Sequence, residues 1–514
     1  MRIFPEDGLS DLATAGLSSI REQIEPFFNP KSIAIVGASR EPTKPGHVIF
    51  RNFLENRKRG IFKGEVFPVN PTAAEILGVR CYDSIVKIPS DVEAIVVAVK
   101  AELVPNVLED AARKGVMVAT IISGGFSEVG NVKLEDEIKR IAKRAAIRVI
   151  GPNGVGVYDA YTGVDTIFLP ETKTVKGGIE VVATPRPMAG NISFVTQSGA
   201  FGVTFLDYMA GREMGVSKFV GYGNKIDVGE IEMLEYLAED ERTRVVLLYS
   251  EGIQEGRGFI STASRVVENK PVVVLKVGRT KGGARAVASH TGALSGDDRV
   301  YEAVFKRAGV IRAMDTEEFA DIGNALAYQP PPSGDRVAVL TDGGGAAVMA
   351  TDVLELLGVS VKRLSDETLK KFDELKARGE IPAFAPCFNP VDLTGSVTGE
   401  MFEKSLRILL EDREVDGVIV LALHHVPTLQ EDFVDNIVRV SKQYLKPLVA
   451  CDVGEAEMAR RIRFRFEKSG IPAYPTPERA SKAMYGLIEY GRFLRRRGVY
   501  ERYLSRLHSQ KPHI

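Results

Sequence analysis

The strongest constraint in this chain is a recurring pair of features: a short β-branched run that ends in a small-residue turn, followed by helical periodicity. Lys31–Val36 (KSIAIV) ends in Gly37, and the runs Glu65–Val69, Ala94–Val99, Val116–Ile122 and Ile147–Ile150 follow it. Between them lie stretches such as Leu103–Lys114 with apolar residues at helical spacing. Strands that alternate with helices pair in parallel, and such a sheet needs helices on both faces to bury it. A second series, Ile192–Thr196, Phe219–Gly221, Val245–Tyr249 and Val272–Leu275, comes after the connection Pro170–Gly190. A third, Val337–Leu340, Val418–Leu423 and Leu448–Ala450, comes after Pro330-Pro331-Pro332-Ser333-Gly334. The fold class expected is α/β, three doubly wound parallel-sheet modules over 28–160, 161–330 and 335–494. An N-terminal extension, 1–27, and a basic tail, 495–514, flank them.

Modules two and three read as a diverged repeat. Asn191–Gly199 (NISFVTQSG) parallels Arg336–Gly344 (RVAVLTDGG), and Lys270–Gly278 (KPVVVLKVG) parallels Lys446–Gly454 (KPLVACDVG). Glu241–Ser250 parallels Arg413–Leu423, and Ala308–Ile311 with Thr316-Glu317-Glu318 parallels Ser469–Pro472 with Thr476-Pro477-Glu478. The four matches occur in the same order.

Composition excludes several classes. Over 514 residues, 67 basic and 68 acidic side chains nearly cancel, so no charge field points to nucleic acid or a membrane surface. Apolar runs are strand-sized, none long enough to span a bilayer. Pro5, Glu6 and Asp7 stand where a signal peptide needs an apolar stretch. Cys81, Cys387 and Cys451 are scattered, with neither metal-ligand spacing nor a disulfide framework. A reducing cytoplasm is the compartment expected.

Gly37-Ala38-Ser39 lies where the first strand turns into a helix, a position that offers backbone N–H groups to a phosphate. A nicotinamide dinucleotide site is the obvious reading, but the turn is not GxGxxG. The second strand also ends in Val69-Asn70-Pro71 rather than in an acid for ribose hydroxyls. Thr43-Lys44-Pro45-Gly46 is a basic bend suited to a diphosphate or a 3′-phosphate. Ser123-Gly124-Gly125-Phe126 and Gly151-Pro152-Asn153-Gly154 follow later strands and border the same crevice. Each alone is equally an ordinary turn. Together they describe an open groove for a long nucleotide with a thin tail.

Beyond the strand Lys270–Leu275, the stretch 276–296 is rich in glycine, carries four cations and holds one imidazole, His290, between Ser289 and Thr291. It is expected to be a mobile loop attractive to anions. Neutral imidazole is nucleophilic near neutral pH, and its phosphoramidate stays reactive enough to pass the phosphoryl group on. Such a carrier needs an orienting acid and a phosphate cradle. Glu251, after the strand Val245–Tyr249, suits the first. Ser198-Gly199-Ala200, opening a helix after Ile192–Thr196, suits the second. A lone loop histidine is more commonly a surface residue, but module three has no counterpart of this loop. His424-His425 is the rival site, read as pocket lining because no carboxylate or cysteine stands at ligand spacing.

These residues carry a family resemblance over Phe27 to Leu494. Gly37-Ala38-Ser39, Phe67-Pro68-Val69-Asn70-Pro71, Gly151-Pro152-Asn153, Thr196-Gln197-Ser198-Gly199-Ala200-Phe201, Glu251-Gly252 and Ser289-His290-Thr291-Gly292 resemble the alpha subunit of ADP-forming acyl-CoA synthetases. Those are relatives of the succinyl-CoA synthetase alpha subunit. The resemblance implies a Rossmann-like module that binds coenzyme A, then two flavodoxin-like modules. It implies His290 as phosphohistidine, Glu251 as its orienting acid, and Ser198, Gly199 and Ala200 at the phosphate. Coenzyme A falls to Gly37, Ala38, Ser39, Lys44, Val69, Asn70, Pro71, Ser123, Gly124 and Asn153. No resident metal is implied. The family's ATP-grasp module is absent, which implies a separate beta subunit holding Mg2+ and ADP or ATP, in an α2β2 assembly acting on acyl-CoA and phosphate. Asp342 departs from the family's usual Asn, and 177–189 reads as an insertion. A non-catalytic CoA-binding regulator and a nicotinamide-dependent oxidoreductase are the competing readings.

Overall fold

The computed structural model describes residues 19–291 and 296–509. Most of the 1–27 extension and the last residues of the basic tail lie outside them.

Three main sheets form. The first runs, edge to edge, Glu65–Val69, Ser32–Val36, Ala94–Val97, Val118–Ile121, Arg148–Ile150, all parallel. Its strands are β-branched and buried on both faces, as a helix-covered parallel sheet requires. The chain leaves Ser32–Val36 in both directions, so a crevice opens beyond that strand's carboxyl end.

The second sheet runs Ile311–Ala313, Val272–Lys276, Val245–Ser250, Ala189–Thr196, Val216–Gly221, Gly156–Asp159. Only the last pairs antiparallel. Gly156–Asp159, inside the 28–160 span expected for module one, is thus hydrogen-bonded into the second sheet. The third sheet runs Val391–Asp392, Val337–Thr341, Gly417–Ala422, Leu448–Asp452, Ala473–Tyr474. Setting Gly156–Asp159 aside, the second and third sheets share one strand order, 2-1-3-4-5, which gives the sequence repeat a common topology. The helices Thr316–Tyr328 and Pro477–Arg496 pack on each other between these two sheets.

Three segments differ in form from the sequence reading. The Pro170–Gly190 connection contains an exposed antiparallel hairpin, Thr172–Thr174 with Glu180–Val182, which takes in the first part of the suspected insertion 177–189. The basic tail forms a helix, Tyr500–Ser509, that buries Tyr503 and lies on module two. There Arg497 and Arg502 meet Glu268. The stretch expected as a glycine-rich loop after Lys276 is in part a helix, Lys281–Thr291, with His290 one residue before its end. Thr280 starts it, its Oγ1 accepting the Gly283 N–H at 3.1 Å and its carbonyl the Ala284 N–H at 2.8 Å. The cap and three alanines in Ala284–Ala288 outweigh Gly282 and Gly283.

Candidate functional site

The first cluster sits at the carboxyl ends of the first sheet. Gly37 has φ +93°, and a Cβ there would lie 2.4 Å from the Ala98 carbonyl oxygen. A Cβ on Gly46 would lie 2.0 Å from the Gly37 carbonyl oxygen. Only glycines allow the helix Pro45–Lys58 to begin so close to the turn. Asn70 holds the turn from the neighbouring strand, its Nδ2 donating to the Ala38 carbonyl at 2.7 Å. Ser39 Oγ accepts the Glu41 N–H, and the Ser39 carbonyl lies 2.8 Å from His47 Nδ1. Lys44 is exposed at the N-cap of that helix, 3.8 Å from Glu41. Val69 is buried and Pro71 exposed.

Across the crevice, Ser123 Oγ donates to the Val99 carbonyl at 2.5 Å, and the Ser123 carbonyl accepts the Asn153 N–H at 2.9 Å. Asn153 has φ +58° and stands beside Gly124, where a Cβ would meet its Oδ1 at 3.2 Å. The ten residues assigned to one groove therefore lie at the carboxyl ends of the strands of one sheet, Val69 as the last residue of its strand and the others on the turns that follow.

The second cluster sits at three adjacent strand ends of the second sheet. Ser198 caps the helix Gly199–Gly211, its Oγ accepting the Phe201 N–H at 3.3 Å. Thr196 Oγ1 ties both the N–H and the carbonyl of Ser198. Glu251 is buried, and its N–H donates to Gln197 Oε1 at 3.1 Å, joining the loops after the two strands. The His290 side chain and Gly292 lie outside the described residues.

Two residues here escaped the sequence reading. Lys276, 1% exposed, ends the next strand with its Nζ 4.4 Å from the Tyr301 ring centroid. Burial pushes its pKa down to about 8. Lys225, at φ +49°, donates from Nζ to both oxygens of Glu230 and to the Gly252 carbonyl at 2.8 Å. A lysine closing a run of valines was the available signal for the first. Nothing local marks the second.

In module three, Asp342 occupies the turn before the helix Gly344–Leu356. Burial pushes its pKa up to about 7. No group of three or more His, Cys, Asp or Glu among the described residues could hold a metal ion. No helix among them is long and apolar enough to cross a membrane.

A nucleotide-type crevice in one parallel sheet is thus followed by two sheets of one topology, the first of them with a capped helix and a buried acid at its strand ends. Three family profiles match in that order: a CoA binding domain over 31–160, a succinyl-CoA ligase like flavodoxin domain over 189–326, and a ligase-CoA domain over 337–494. The chain is 36% identical over 479 residues to the alpha subunit of an ADP-forming acetate–CoA ligase of Pyrococcus furiosus, covering 91% of this chain and 98% of that one. It is 37% identical over 480 residues to an Archaeoglobus fulgidus ADP-forming acetate–CoA ligase, covering 93% of this chain and 65% of that longer one. Among solved structures, the dinucleotide-forming acetyl-coenzyme A synthetase 1 of Ca. Korarchaeum cryptofilum, with phosphate and ADP, superposes with a TM-score of 0.83 at 35% identity, covering 94% of this chain and 99% of that chain. The chain belongs to the family of ADP-forming acetate–CoA ligase alpha subunits.

Proposed function

We propose that the chain binds coenzyme A in the crevice of the first sheet and carries a phosphoryl group on His290 between two reaction centres. A phosphate oxygen attacks the thioester carbonyl of acyl-CoA; the C–S bond breaks, and CoA leaves as its thiolate, giving an acyl phosphate. A ring nitrogen of His290 then attacks phosphorus, the P–O bond to the acyl group breaks, and the carboxylate departs. Glu251 accepts the other ring N–H, fixing the tautomer and stabilising the imidazolium-like phosphohistidine. The helix start at Ser198, Gly199 and Ala200 holds the phosphate. The helix Lys281–Thr291, on its Val277–Thr280 connection, carries the group to an ATP-grasp beta subunit. There an ADP oxygen takes it to form ATP, with Mg2+ offsetting the phosphate charge.

The longer Archaeoglobus relative, of which this chain matches only 65%, supports a partner subunit for the remainder. An α2β2 complex in the cytoplasm completes this reading, with the three spans 28–160, 161–330 and 335–494 as its domains. The observation that carries it is the buried Glu251 braced by Gln197 beside the Ser198 helix cap. The test is acid-labile phosphate on the chain after it and its partner are mixed with acyl-CoA and phosphate. The wild type should be labelled and His290→Ala should not. An alanine variant that still forms ATP from acyl-CoA at the normal rate would refute it.

A further inference from the structure

The two clusters belong to different sheets, and one side chain ties them together. Asn224 lies in the loop after the strand Val216–Gly221. Its Nδ2 donates to Glu128 Oε2 at 2.7 Å, Glu135 Oε2 at 2.8 Å and Ser127 Oγ at 3.2 Å. Its Oδ1 lies 3.4 Å from Asn153 Nδ2, and its backbone N–H donates to the Pro152 carbonyl at 2.9 Å. Asn224 therefore touches both first-module loops that border the crevice. Glu128, in turn, accepts the N–H groups of Gly125 and Phe126, which shapes the Ser123–Phe126 turn. Burial opposes its ionisation, but the hydrogen bonds from Gly125 and Asn224 prevail and hold its carboxyl below the usual range.

The loop is built for close approach. A Cβ on Gly223, at φ +57°, would lie 2.4 Å from both the Asn153 and the Pro152 carbonyl oxygens. The Ile226 N–H donates to the Gly151 carbonyl and the Val228 N–H to the Val149 carbonyl, so the loop is laced along the other module. The residue after Asn224, Lys225, reaches the Gly252 carbonyl beside Glu251. The helix that bears His290 comes against Ser127–Val129, the turn that Asn224 holds.

We propose that Asn224 is a positioning residue, setting the CoA-binding loops of the first module against the Glu251 and His290 machinery of the second. Its amide can donate to two carboxylates and accept from Asn153 at once; no other side chain of its size does both. The role rests on the function proposed above. Acyl transfer to phosphate needs the thioester and the second-module phosphate in register, whereas labelling of His290 from ATP does not involve CoA. Displacement of reacting groups by about 1 Å can lower a rate on the order of a hundredfold.

The test separates the two half-reactions in the complete complex with the beta subunit, by acid-labile phosphate on the chain. Asn224→Ala and the isosteric Asn224→Asp should label from acyl-CoA and phosphate on the order of tenfold or more slowly than wild type. Labelling from ATP should stay within about twofold. Glu128→Gln, which loses charge but keeps an acceptor, should fall between wild type and Asn224→Ala, and serves if the alanine variant does not fold. Equal loss from both donors, or no loss from either, overturns the proposal. A wild-type chain that takes label from neither donor would instead overturn the underlying phosphohistidine reading.

Discussion

His424 Nδ1 lies 2.5 Å from Asp452 Oδ1, with both side chains buried at the carboxyl edge of the third sheet. Asp452 is the last residue of its strand, as Lys276 is of the corresponding strand in the second sheet. His424 stands in the loop after the preceding strand, as Glu251 does. The repeat thus places one acid and one base at the ends of the same two strands and exchanges which strand supplies each. The His425 ring lies against His424, tilted by 33° with centroids 3.9 Å apart, and the Asp342 Oδ1 accepts the Leu423 N–H at 3.0 Å. Because Asp452 fixes one ring nitrogen, His424→Ala should leave a buried carboxyl without its partner. A loss of about 1–3 kcal/mol in denaturant unfolding is expected, with CoA affinity unchanged.

Asp342 gives a pH signature. Its folded pKa, raised by burial to about 7, exceeds the value near 3.9 of an unfolded aspartate, so the folded chain binds the extra proton. This contribution to stability is full below about pH 4 and is lost as pH rises toward 7. Asn at this position keeps an acceptor for Leu423 and cannot ionise. Asp342→Asn should therefore be more stable than wild type at pH 8, and the difference should close on acidification. Melting temperatures across that range check it.

Lys276 behaves with the opposite sign. Its folded pKa of about 8 lies below the unfolded value near 10.4, so the folded chain binds fewer protons between the two. Stability gains from this group as pH rises through that window. Lys276→Met, which keeps the packed stem, should be more stable at pH 7, with the advantage shrinking towards pH 10. Its labelling from acyl-CoA should fall, because a buried cation whose charge acts on Glu251 is gone.

Gly37→Ala combines a left-handed φ with a Cβ 2.4 Å from a backbone oxygen. It should destabilise the first module by about 2 kcal/mol or more and weaken CoA binding measured by calorimetry.

Asp321 is 1% exposed and is held by Arg212 Nη1 at 2.7 Å and by Arg479 Nε and Nη2 at 2.7 and 2.8 Å. Asp321→Ala removes the buried carboxylate that two guanidinium groups share between modules two and three, leaving Arg479 with Glu317 at 3.0 Å and Arg212 with Glu467 at 4.0 Å. A loss on the order of 3–5 kcal/mol is expected, read as a lower denaturant midpoint.

Much of this was legible because the second and third modules use local signals. Val245–Ser250 and Gly417–Ala422 are continuous apolar strands, and Ser198 after Thr196 is a helix start readable from residue type alone. The stretch 281–291 is a helix rather than the expected loop: its glycines announce a loop, while the Thr280 cap and the alanines behind it favour a helix.

The amino-acid order by itself determined the three α/β modules and the central strands of their sheets, the repeat, and which turns stand at strand ends, because periodicity and glycine placement act over a few residues. Tertiary structure alone decided that Gly156–Asp159 joins the second sheet, that Lys276 is buried under the influence of the Glu251 charge, and that Asn224 meets Glu128 across 96 positions of chain. Such contacts join residues far apart along the chain, and no local pattern of residues encodes them.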